Sequence, residues 1–86
     1  MHESRLVAQL IARVESEVDP AETRVTRLAL RVGAMSPVAP LALRQGIEEH
    51  AAAAWGYSPV IEVEPSDDVG DSAGFGVTLV SIQVEG

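Results

Sequence analysis

From Arg24 to Val32 the chain alternates between two kinds of side chain, and this alternation limits the possible folds more than any other stretch. Thr26, Leu28, Leu30 and Val32 fall on one side of an extended backbone, and Val25, Arg27, Ala29 and Arg31 on the other. Successive residues of a strand point to opposite faces, so the pattern predicts a half-buried strand with one apolar side. Such a strand needs a cover on one face only. The cover has to come from the segments around it.

Two of those segments repeat with the period of a helix. Between residues 4 and 18, Leu6, Val7, Leu10, Ile11, Val14 and Val18 recur at the spacing of one helical face, with Arg5, Gln9, Arg13, Glu15 and Glu17 mostly elsewhere. Ser4 is placed to act as N-cap, and Asp19-Pro20 closes the segment because the residue before proline avoids the helical region. A second helix is predicted from about Pro40, a favoured first helical residue, to about Ala54. Its stripe is Leu43, Ile47, Ala51 and Ala54, with Leu41 and Ala42 near the start, and Gly56 is a helix stop.

Two further strands follow. Val60 to Glu64 alternates between bracketing prolines at 59 and 65. Val77 to Glu85 sets Thr78, Val80, Ile82 and Val84 against Leu79, Ser81, Gln83 and Glu85. Gly33-Ala34-Met35-Ser36-Pro37 breaks the first strand, and the polar stretch from Ser66 to Gly76 separates the last two. The order is helix, strand, helix, strand, strand. Eighty-six residues make one domain, an α+β fold in which two helices cover one face of a three-stranded sheet. If the first two strands are parallel, their crossover through the second helix is right-handed. The last strand is free to pair antiparallel with the one before it.

Composition removes whole classes of function. The net charge is −7, with arginine as the only strong base, which disfavours phosphate backbones and so nucleic acid. No cysteine is present, so disulfides and thiolate zinc sites are impossible. No apolar run reaches the ~20 residues that span a bilayer, and no secretion signal opens the chain, so a cytoplasmic location is expected. A cysteine nucleophile is excluded, no glycine-rich phosphate loop exists, and His50 has no Ser–acid partner suggested by spacing. Enzyme activity is not expected.

The residues that do carry chemistry are the first three, Met1-His2-Glu3. A free α-amine at Met1, the amide nitrogen of His2 and the His2 imidazole can close a five-membered and a six-membered chelate ring on one ion. Three coplanar nitrogens with an open fourth corner suit Ni(II) or Cu(II) better than Zn(II) or Mg(II). Met1 is expected to survive processing, because initiator methionine is normally removed only before small residues. Deprotonating an amide ahead of the first helical turn breaks no ladder bond, since the first four N–H groups have no partner within the helix. The positive end of the helix dipole opposes a cation by a few tenths to ~1 kcal/mol, and the negative amide offsets one of the two metal charges. Glu3 fits either an axial or supporting carboxylate or a favourable first-turn charge.

Three stretches together resemble the HypA/HybF family of nickel metallochaperones for [NiFe]-hydrogenase and urease maturation. They are Met1-His2-Glu3 before an amphipathic helix with Leu6, the strand and turn from Arg24 to Ser36 with Gly33-Ala34-Met35-Ser36, and Val38-x-Pro40-x-Ala42-Leu43-Arg44. The closing strand, with Ile82-x-Val84-Glu85, is similar to the family's last strand. The likeness covers about residues 1–65 and 77–86. It implies Met1 and His2 as nickel ligands, Glu3 as a supporting or additional ligand, and a hydrogenase large subunit and a HypB-type GTPase as partners. It also exposes a departure. The family inserts a zinc module of Cys-x-x-Cys pairs between the last two strands, where this chain has an Asp/Gly stretch at 66–76 with neither Cys nor His. No zinc is expected, and the histidine that supplies a further nickel ligand near that module in some members has no counterpart here.

The remaining candidates read more plainly. His50, after Glu48-Glu49, is suited to the negative end of the second helix, with metal binding as the lesser role. Asp67, Asp68 and Asp71 lack the spacing and terminal glutamate of a calcium loop and read as a solvated turn. Trp55 and Tyr57 read as core or rim packing. Two functions follow: a nickel carrier loaded at its amino terminus, or a metal-free HypA-like adaptor that docks on a hydrogenase or its maturation proteins.

Overall fold

The computed structural model describes residues 2–33, 39–65 and 76–85, with the backbone alone for residues 2–4. Residues 34–38 and the Asp-containing stretch 66–75 lie outside the described residues. Five elements appear in the expected order: α1 (His2–Glu17), β1 (Val25–Val32), α2 (Pro40–Trp55), β2 (Val60–Pro65) and β3 (Val77–Val84). Both helices press on one face of the sheet. Val7, Leu10, Ile11 and Val14 of α1 meet Leu43, Ile47 and Ala51 of α2 over Val25, Leu28, Leu30 and Val32 of β1 and Ile61 of β2. Leu6, Val18, Val63, Val77, Leu79 and Ile82 pack around this cluster.

α1 starts earlier than its sequence pattern suggests. Ser4 is the third helical residue rather than the N-cap, and Glu3 occupies the first turn, where a negative charge favours the helix. Val18 N–H still donates to Val14 O (3.0 Å) before Asp19-Pro20 ends the helix. α2 begins on Pro40 as its first turn and stops at Gly56, whose φ of 80° is the left-handed value a glycine adopts without strain. Ala54 is exposed, and Trp55 takes the last place at the core margin. The two helices cross closely at Gly46, where a Cβ would sit 3.0 Å from Val7 Cγ2.

The sheet order is β2-β1-β3, with β1 parallel to β2 and antiparallel to β3. The last strand therefore pairs with β1, not with β2 before it. β1 has buried apolar residues along its whole length and belongs in the middle; β2 carries Glu62, Glu64 and a terminal proline, and suits an edge.

Two β-bulges change which residues face the core. Val25 is opposite Val84 and Arg27 opposite Gln83, so Thr26 is an extra residue on β1. Val25 is buried and Thr26 exposed, the reverse of simple alternation. The Thr26 hydroxyl donates to Gln83 O at 3.1 Å across the irregularity. On β3, Ala29 is opposite Ser81 and Leu30 opposite Leu79, which leaves Val80 as the extra residue. Val77, Leu79 and Ile82 turn to the core, while Thr78 and Val80 turn outward. An inserted residue shifts every later side chain to the other face, and that accounts for both reversals.

The helices run in the same direction. Val7 of α1 lies against Gly46 of α2, and further along Trp55 Nε1 donates to Glu15 Oε2 at 2.9 Å. Because α2 returns antiparallel to β1, one end of the molecule gathers both helix starts, the carboxyl ends of β1 and β2, and the start of β3. At that end Gly33 N–H donates to Gly76 O (2.8 Å). The opposite end gathers the helix stops, the Asp19-Pro20 turn and the end of β3.

Candidate metal centre

The architecture sets His2 as the first residue of α1, at the end where the two helices begin. Its amide precedes any possible i→i−4 acceptor, so the ladder makes no demand on that nitrogen. The register of the parallel helices sets His2 level with the first turn of α2. Met1 and the side chains of His2 and Glu3 lie outside the described residues, which give the backbone of His2 and Glu3 alone. Pro65 and Gly76, which flank residues 66–75, are at this same end. In open α/β sheets, ligand sites gather at the carboxyl ends of parallel strands, and the amino terminus lies beside such an end.

His50 is not part of this end. It is exposed on α2, ten residues after Pro40, which is about 15 Å along a helix axis. An imidazole cannot bridge that gap to an ion held at residue 2. The dipole role expected for His50 also fails. The last turn of α2 contains no basic residue, and the dipole's influence fades within the last turn. His50 is a solvated side chain beside Glu49. Among the described residues, no three or more His, Asp or Glu side chains gather where they could hold an ion. Asp67, Asp68 and Asp71 lie outside the described residues.

The far end has a different chemistry. The Tyr57 hydroxyl accepts from Val25 N–H (3.0 Å) and donates to Pro20 O (2.9 Å). The Arg24 guanidinium stacks 4.3 Å over the Tyr57 ring, and the Trp55 ring tilts at 45° to it, 6.0 Å away. Asp19 closes the turn below: its carboxylate accepts from Ala21 N–H and its carbonyl from Thr23 N–H. Packing was expected of the aromatic pair, but the bridging hydroxyl had no local signal, since its partners are 32 and 37 residues away. This corner joins elements, and its Tyr57 hydroxyl is matched on both sides.

No protein-family model, curated protein or solved structure matches the chain. None of the described helices is long and apolar enough to cross a membrane.

Proposed function

We propose that the chain is a nickel carrier, similar to the HypA/HybF metallochaperones, that takes Ni(II) as cargo at its amino terminus for a [NiFe]-hydrogenase or urease. With Met1 as the native terminus, its amine, the His2 amide nitrogen and the His2 imidazole are the donors, and Glu3 is the supporting carboxylate. The observation that carries this reading is the start of α1 at His2. It ties a normally frayed terminus to a packed helix while leaving the chelating amide free of ladder bonds. A hydrogenase large subunit receives the metal, and a HypB-type GTPase assists. Three protons compete for the three nitrogens, so nickel is released as pH falls.

The chain's lack of cysteine favours a second reading. Without the zinc module of the family, the fold serves as a metal-free adaptor that docks on a hydrogenase or its maturation proteins.

A nickel titration separates the two. It uses protein with its native amino terminus, the His2→Ala variant, and a version with one residue added before Met1. The carrier reading expects a yellow, diamagnetic, planar Ni(II) species in the native protein alone, displaced by Cu(II), which stands above Ni(II) in the usual affinity order. Equal binding by all three proteins removes the N-terminal site and leaves the adaptor.

A further inference from the structure

The two edges of the sheet are unlike. β2 is short, carries Glu62 and Glu64, and ends on Pro65, which has no N–H to offer. β3 runs eight residues, Val77-Thr78-Leu79-Val80-Ser81-Ile82-Gln83-Val84, with no charge, no proline and no glycine. Among the described residues nothing pairs with its outer edge. Its one guard is the bulge at Val80. Uncharged β-prone strands of this length pair readily with another strand when an edge is free. Val80 and Val84 are among the large apolar residues left exposed.

Beside that edge, α1 and β3 bound a groove of about 390 Å³ lined by Arg13, Glu17 and Val18 on one side and by residues 79–82 on the other. Arg13 and Glu17 are one turn apart and form a solvent-exposed pair at 3.4 Å. They are level with the middle of β3.

We propose that two copies of this chain join edge to edge through β3, antiparallel and two-fold, into a continuous sheet β2-β1-β3-β3-β1-β2. A two-fold axis between residues 80 and 81 sets Leu79 against Ile82 of the second copy, Thr78 against Gln83 and Val77 against Val84. The regular stretches on either side of the bulge thus meet each other, and the two bulges meet in the centre. Every pair is uncharged. The same axis runs α1 antiparallel to its copy and brings Arg13 of each close to Glu17 of the other, so the exposed pair exchanges partners across the interface. A dimer through β2 has no such complementarity, because Glu62 and Glu64 would face their own copies. Each interface contact occurs twice, as an isologous contact requires.

Sedimentation of the full chain from low micromolar to millimolar concentration tests this. The expected result is a reversible monomer–dimer equilibrium that tightens with added salt, because two bodies of charge −7 repel over long range. Val80→Lys, at an exposed position, is expected to weaken association at least about tenfold while leaving the circular dichroism spectrum unchanged. Arg13→Glu weakens it, and adding Glu17→Arg to that variant restores it, a rescue that loss of folding cannot mimic. A chain that stays monomeric to millimolar concentration overturns the proposal. So does a dimer that ignores Val80→Lys and the charge exchange, or one broken by Val60→Lys on the β2 edge instead.

Discussion

The two ends of this molecule are joined in different ways. At the end holding the helix stops, side chains do the joining: Tyr57 bridges Val25 and Pro20, Trp55 reaches Glu15, Arg24 covers Tyr57, and Asp19 folds the turn. At the end holding the helix starts, the described residues offer mainly backbone. Gly33 bonds Gly76, and α2 begins at Ala39 with no side-chain cap. Polar groups already matched within the fold have little left for a ligand. Under the carrier reading, the fastened end is the structural one and the other end carries the metal.

Four substitutions test that division, beginning with the core shared by both ends. Leu43 is fully buried, and Leu43→Ala should cost about 2–5 kcal/mol in urea unfolding. Against a total of roughly 5–15 kcal/mol that is a large share. A loss below ~1 kcal/mol would mean that α2 does not bear on the sheet as described. Next comes the fastened end. Tyr57→Phe strands the part-buried Val25 N–H and Pro20 carbonyl and should cost ~1–3 kcal/mol; under the carrier reading it leaves nickel binding by the folded protein unchanged. A change in nickel affinity with this variant would couple the two ends and end the division.

Trp55→Phe removes the exposed bond to Glu15 and trims the ring packed at the core margin, and should cost ~1 kcal/mol by circular dichroism. The smallest effect on stability belongs to His2→Ala, within about 0.5 kcal/mol, although under the carrier reading it abolishes the planar nickel spectrum. If His2→Ala destabilised the fold as much as Tyr57→Phe, the amino terminus would belong with the structural parts.

The sequence patterns reached the elements, their order and the single covered face of the sheet. They did so because each element has one apolar side, and burying that side is the largest favourable contribution to folding. They failed on the faces of Val25, Thr26 and Val80. A bulge reverses facing, and the β-branched Thr26 and Val80 read as ordinary strand residues. The partner of β3 was equally hidden, since uncharged alternation fits either neighbour; the buried residues along β1 decide for the centre. His50 looked suited to a helix end because it lies near the stop of α2, yet it stands five residues before Trp55 and falls before the last turn. For the candidate site, position came from topology, and chemistry still rests on the donor types of Met1, His2 and Glu3.

The central place of β1 also has a consequence in time. Val25 pairs with Val84, and Leu28 with both Ile61 and Ile82. The middle strand is thus made early by the ribosome, while both flanking strands arrive late. The helices can form as they emerge, but the sheet cannot close until residue 84 is free of the exit tunnel. Distant pairings of this kind slow folding, because the loop between partners must be ordered before their contact is gained. During that interval β1 carries four core residues and two unpaired edges. A nascent chain of this protein should therefore be most vulnerable to chaperones and proteases until β3 has emerged.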